Sequence, residues 1–287
     1  MTVSYVFPGQ GSHRPGMGRE LFARYPHLVH QADRLLGYSI VELCLESSNE
    51  RLTDTRFTQS AMYVVGALSY VDRVRETGTV PDVVAGHSLG EYVALFAAGA
   101  FDFLTGLELV RRRAELMAAA GPGAMAAVIG LDADAVALAL QRGRLSDVDI
   151  ANYNAPTQVV ISGGRDDVRT AGELLAPEAV AVVPLNVSGA FHSRHMAAAA
   201  REFGVFLRRY RFAALRVPVI ANTTAAPHTD AGLADELQRQ LVAPVRWEET
   251  VRYLLDQPDP QIVEVGPGQV LTGLVNQVRD RVPQGRR

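Results

Sequence analysis

Lysine is absent from the 287 residues, so all 28 basic positions are arginine. This reads as codon usage in a GC-rich genome, not as chemistry. Cysteine occurs once, at Cys44, which excludes an internal disulfide framework and a cysteine-based metal cluster. A buried, inert thiol is the expected state. Charge of one sign is also missing. The 28 basic against 31 acidic side chains give −3, so no global field draws the chain to nucleic acid or an anionic membrane. No apolar run approaches the ~20 residues that span a bilayer. The N-terminus lacks a charged region followed by an apolar one, so a cytoplasmic location is expected. Repeats, low-complexity linkers and a metal-ligand set are absent as well. What remains is an ordinary globular composition, 48% hydrophobic and 21% charged. It is long enough for one elaborated domain or a domain with an insertion.

The most informative stretch runs from Val83 to Ala98, VVAGHSLGEYVALFAA. A short β-branched run stops at Gly86, His87 to Gly90 follow, and an apolar helical segment begins at Tyr92. Strand, G-x-S-x-G turn and helix make a nucleophile elbow, with Ser88 lifted to the edge of a parallel sheet. The plainer alternative is an incidental turn serine.

Ahead of it, Val3 to Phe7 reads as a buried strand entering the loop Pro8-Gly9-Gln10-Gly11-Ser12. This loop is a turn or a close backbone approach to a ligand, and it lacks the spacing of a phosphate loop. Apolar residues at helical spacing predict one helix over about 18–36, with His27 and His30 on its surface. Thr58 is a plausible N-cap for a helix running to Val74. Gln59 behind it is either a first-turn surface residue or a site group.

Between Gly121 and Ser188 the rhythm changes to strand, helix, strand, strand, helix, strand, with a turn at Asn154 to Thr157. That order is the ferredoxin-like split βαβ unit. The reading is therefore α/β: residues 1–123 and 189–287 form the body with a parallel sheet, and 124–188 an inserted subdomain. The cleft between them is the default ligand site. A serine hydroxyl needs a base. His192 lies where the inserted unit returns to the body, so it is the first candidate, against a hydrogen-bonded loop histidine. His195 is the runner-up, and His87 points away from its neighbour Ser88. No acidic residue offers itself as an orienter for the base. Leu89 N–H and the glycine-flanked Gln10 are candidate oxyanion donors.

FPGQGS at 7–12, TQ at 58–59, GHSLGE at 86–91, RRRAELM at 111–117, GAMAAVIGL at 123–131, NYNAPTQVVISG at 152–163, GAFHS at 189–193 and EVGPGQVLTGL at 264–274 occur in order. Together they resemble the malonyl-CoA:acyl-carrier-protein transacylase family, which covers discrete fatty-acid enzymes and acyltransferases of polyketide synthases. The resemblance implies an α/β-hydrolase-like body carrying a ferredoxin-like subdomain. It implies Ser88 as acyl-accepting nucleophile, His192 as base, the amides of Gln10 and Leu89 as oxyanion hole, and the main-chain carbonyl of Gln240 as orienter of the histidine. Arg113 matches the arginine that grips the malonyl carboxylate through two parallel hydrogen bonds, while Arg111 and Arg112 are read as a solvated face. Gln59, His87 and Asn154 complete the substrate-side candidates.

GAFHS is similar to the HAFH signature of malonyl-selective enzymes, although Gly189 departs from it. Phe191 would restrict space beside the malonyl α-carbon, a discrimination worth ~1–3 kcal/mol. The resemblance further implies malonyl-CoA and the phosphopantetheine of an acyl carrier protein as substrates and no bound cofactor; no carrier-protein or ketosynthase segment is seen in the sequence, so action as a discrete enzyme in trans is expected. Arg208, Arg209 and Arg211, with Arg279 and Arg281 in the Arg-rich tail, are candidates for docking an acidic carrier protein. The tail from Arg279 to Arg287 is expected to fray. Rival readings are an editing acyl hydrolase, an acyltransferase for methylmalonyl or carrier-to-carrier transfer, and a silent docking subunit.

Overall fold

The computed structural model describes residues 1–46 and 49–281; the end of the Arg-rich tail, 282–287, lies outside them. β1 (Thr2–Phe7) is apolar and almost wholly buried. The glycine loop then leads to α1 (Arg19–Arg24) and α2 (Pro26–Leu36). The single helix expected over 18–36 is therefore two, because Pro26 has no N–H to continue α1 and suits the first position of α2. Next come α3 (Ile40–Leu45), α4 (Asn49–Thr53) and α5 (Thr55–Thr77). Asp54, not Thr58, caps α5 by accepting from Arg56 N. Thr58 sits inside the first turn, its hydroxyl bonded to the carbonyls of Leu52 and Asp54.

β2 (Val83–Gly86), α6 (Gly90–Ala97) and α7 (Phe103–Ala119) follow. The middle of the chain gives β3 (Ala124–Ile129), α8 (Ala133–Arg142), β4 (Asp149–Ala155), β5 (Gln158–Gly163), α9 (Arg165–Leu175) and β6 (Ala181–Pro184). β4 runs through Asn154, where the chemistry of Asn-Ala-Pro-Thr predicts a turn; the turn is confined to Pro156 and Thr157. The chain closes with α10 (Ala197–Leu207), β7 (Val219–Ile220), α11 (Leu233–Gln240), α12 (Trp247–Leu255), β8 (Pro260–Glu264) and α13 (Val270–Arg279).

Two four-stranded sheets result. One has the order β7-β2-β1-β8 with every pair parallel, the other β4-β5-β3-β6 with every pair antiparallel. The parallel sheet is covered on both faces, as continuous apolar strands require. Val3, Tyr5 and Phe7 point into the largest core, with side chains of α5, α6, α7 and α10. Val6, Val83 and Ala85 point the other way, onto Trp247, Val251, Leu271 and Val275 of α12 and α13. Each fully buried valine, leucine or phenylalanine among them contributes about 1.5–3 kcal/mol by leaving water. The antiparallel unit has its own core around Val128, Val136, Ile161 and Val168.

Strand β4 of the antiparallel sheet is tied by backbone to the segment ahead of α12. Tyr153 N donates to Val245 O and Val245 N to Ala151 O, both at 2.9 Å. Among the described residues no helix is long and apolar enough to cross a membrane. Three neighbouring strands of the parallel sheet end at one edge, and just beyond them lie Gln10, Ser88 and Asn222. Ligands of open parallel sheets sit at this carboxyl edge.

Candidate active site

The elbow is built by two glycines. A Cβ on Gly86 would lie 1.9 Å from Gly90 C, and one on Gly90 would lie 2.0 Å from Phe7 O. No other residue fits so tight a crossing of β2, the turn and β1. The turn leaves Ser88 with a left-handed backbone, φ 51°, and hands its N–H to Asn222 Oδ1 at 2.6 Å. Asn222 Nδ2 donates in turn to Gly86 O at 2.6 Å.

Ser88 Oγ lies 2.7 Å from His192 Nε2. His192 Nδ1 lies 2.8 Å from the main-chain oxygen of Gln240. A carbonyl can only accept, so Nδ1 carries the proton and Nε2 is left to accept from the serine. His192 is 4% exposed and also has a positive φ, 56°. Burial, then the charge of Arg113, pulls its pKa down from 6.5 to about 3. The ring is thus neutral near neutral pH. His195, the runner-up, is turned outward, with Nε2 against Asp147 O at 3.0 Å.

Arg113 enters from α7 and is 1% exposed. Its Nη2 donates to Ser88 Oγ at 3.1 Å and to Gln240 Oε1 at 2.9 Å, and its Nη1 donates to Gln59 Oε1 at 2.6 Å. Its Nε has no partner among the described residues. No carboxylate lies within ion-pair distance of it among them either, although Glu91 acts on it through space. The guanidinium also stands over the Tyr92 ring, 5.5 Å from the centroid. Gln59 is therefore a buried site group: its Oε1 meets Arg113 and its Nε2 donates to Met117 Sδ at 3.4 Å. Arg112 pairs with Glu115 and Glu202 on the surface. Arg111 is less solvated than expected, because its Nη1 donates to Leu35 O at 2.9 Å.

A cavity of about 80 Å³ connects these groups, lined among others by Gln10, Leu89, Met117, Asn152, Phe191 and His87. The amides of Gln10 and Leu89 have no acceptor among the described residues. Gly9 brings them close: a Cβ there would lie 2.5 Å from His87 O and 3.7 Å from Leu89 N. The side chain of Gln10 turns aside, donating to Thr55 Oγ1 at 3.3 Å. Gly189 has a steric reason, since a Cβ would sit 2.5 Å from the Phe191 ring.

Asn154 does not line the cavity; it stands behind His87, with Oδ1 2.8 Å from Nε2, and Asn152 takes the cavity position two residues earlier. His87 packs edge-on against Trp247, and burial lowers its pKa. The surface arginines Arg208, Arg209, Arg211, Arg279 and Arg281 are exposed.

Sequence reasoning missed Asn152, Asn222, Glu91, His228 and the side chain of Gln240. The signals were an asparagine directly after a buried β run and a carboxylate inside an apolar helix.

Residues 4–285 match the family profile of the acyl transferase domain. The chain belongs to that family. It is 50% identical over 280 residues to the polyketide biosynthesis malonyl CoA-acyl carrier protein transacylase BaeC of Bacillus velezensis, covering 97% of each chain. Among solved structures of the family, a malonyl CoA-acyl carrier protein transacylase from Burkholderia pseudomallei superposes with TM-score 0.96 at 44% identity, covering 99% of each chain. A malonyl-transacylase solved with a type II polyketide-synthase acyl-carrier protein gives TM-score 0.93 at 36% identity, over 98% of this chain and 94% of that one. The α/β reading, with a parallel sheet and an antiparallel unit, agrees with these likenesses.

Proposed function

We propose that the chain moves a malonyl group from malonyl-CoA to the phosphopantetheine thiol of an acyl carrier protein through an ester on Ser88. The observation that carries this reading is Arg113. A buried guanidinium without a carboxylate in ion-pair contact is costly, and here it points its Nη2 at the hydroxyl that would carry the acyl group. A substrate with its own carboxylate supplies the missing anion. The activities and carrier protein named for the relatives support the same reading.

His192 takes the Ser88 proton as the oxygen attacks the thioester carbonyl. The amides of Gln10 and Leu89 hold the developing oxyanion. The proton then goes to the departing CoA sulfur, and the steps run in reverse with the carrier thiol. The Gln240 carbonyl keeps the imidazole in the right tautomer throughout. Both CoA and phosphopantetheine act as substrates, and the chemistry calls for no resident cofactor. A location in the cytoplasm fits the lone thiol of Cys44, which is buried and pushed up to about 12 by that burial.

Mixing the protein with malonyl-CoA should leave a malonyl adduct on Ser88, read by peptide mass spectrometry and absent in Ser88→Ala. Arg113→Ala should slow malonyl loading about 100-fold or more while sparing acetyl loading. Equal loss with both acyl groups would remove the clamp. Rapid release of free malonate without transfer would favour the hydrolase reading.

A further inference from the structure

The site contains one buried carboxylate that the proposed mechanism does not use. Glu91, on the first turn of α6, is 2% exposed. Its Oε1 accepts from His228 Nε2 at 2.5 Å and from Asn222 N at 3.3 Å, and its Oε2 accepts from Gln240 Nε2. The His228 side chain is itself wholly buried. The Gln240 amide has two further contacts. Nε2 donates to Ser88 O at 2.9 Å, and Oε1 accepts from Arg113 Nη2 at 2.9 Å. The main-chain oxygen of the same residue holds His192.

We infer that Glu91 is a positioning residue for acyl transfer, acting through the side-chain amide of Gln240. An amide has one accepting and one donating end, and its neighbours decide which way it lies. A guanidinium only donates and a carboxylate only accepts, so Glu91 and Arg113 together leave Gln240 one orientation. Turned the other way, its NH2 would face the donors of Arg113 and its oxygen the carboxylate. With the amide locked, residue 240 ties the arginine that faces Ser88 to the carbonyl that orients the base. His228 holds Glu91 from behind. The inference rests on the roles proposed above for Ser88, His192 and Arg113.

The test is a double-mutant cycle on the full chain with Glu91→Gln, Gln240→Met and the pair. Glu91→Gln keeps shape but no longer dictates the amide, and Gln240→Met removes the amide while keeping the main-chain carbonyl. The readout is kcat/KM for malonyl transfer from malonyl-CoA to pantetheine, with thermal midpoints measured alongside. Each single change is expected to lower kcat/KM at least tenfold. The double variant should fall within threefold of the worse single one, and Glu91→Gln should also lower the malonyl-to-acetyl ratio. Single effects that multiply in the double variant overturn the inference. If Glu91→Gln does not fold, Gln240→Met decides alone, and kcat/KM within threefold of the parent overturns it. A parent chain without malonyl transfer would refute the function instead, so the two failures are distinct.

Discussion

Ser88 and His192 share an uncommon backbone state, with φ of 51° and 56°. A non-glycine residue held there costs about 1–3 kcal/mol, and it persists only where the surroundings over-determine it. For Ser88 these surroundings are the bonds of Asn222 to Ser88 N and Gly86 O. Replacing Ser88 by glycine should therefore give a protein about 1 kcal/mol more stable than Ser88→Ala, since glycine adopts this region without penalty. Denaturant midpoints of the two inactive variants measure the difference, and equal midpoints would show that the turn is unstrained. His192 makes a second prediction. Its folded pKa of about 3 lies below the unfolded value near 6.5, so the unfolded chain binds the proton first as pH falls. The stability it contributes is full above pH 6.5 and declines below it, by about 1.4 kcal/mol per pH unit until pH nears 3. Between pH 6.5 and 4, His192→Asn should lose correspondingly less stability than the parent in urea titrations. The acid limb of kcat/KM should also lie below 6.5, because the base is still neutral there.

Among the elements, the strand–turn–helix of β2 and α6 is the least tolerant of change. Gly90→Ala would put a methyl 2.0 Å from Phe7 O, against backbone that cannot move without breaking the β1–β2 pairing. The expected loss is about 3 kcal/mol or more, seen as a collapse of the thermal midpoint or of soluble yield. Gly273, in the middle of α13, is the contrast: nothing lies within 4 Å of a Cβ there. Gly273→Ala should stabilise by about 0.5–1 kcal/mol through helix propensity. Opposite signs from the same exchange would show that packing, not glycine content, governs the elbow. Pro26 teaches the same lesson about local chemistry, since the apolar spacing of 18–36 was right while the proline cut the helix in two.

For the whole molecule, activity depends on how two separately packed units meet. His192 stands just after the chain leaves the antiparallel unit, and Gly123 just before it enters. The two crossings touch: a Cβ on Gly123 would lie 2.3 Å from Ala190 N. Gly123→Val should push the return segment away from Ser88. A shift near 1 Å costs on the order of 100-fold in kcat, while the cores around Trp247 and around Val128, which contain neither crossing, keep the protein folded by circular dichroism. Undiminished kcat would mean that His192 is held from the α11 side alone, by Gln240.

What the amino-acid order determined by itself was everything whose physics is local. Two glycines around a serine force the elbow within five residues, alternation and helical spacing mark the strands and helices, and the strand–helix order implies a parallel sheet with an inserted antiparallel unit. Only the tertiary structure decided what meets in the cleft. Gln59 reaches Arg113 across 54 positions and Asn222 reaches Ser88 across 134, and neither pairing leaves a periodic trace in the chain. Residue pattern alone leaves Gln59 open between surface and site, and only the family resemblance offers it and Asn154 as substrate-side groups, because a polar side chain looks the same in sequence whether it faces water or a buried guanidinium. The network of Glu91, Gln240 and Arg113 exists only because closing the fold strips water from all three, so that hydrogen-bonding groups without local partners must find one another.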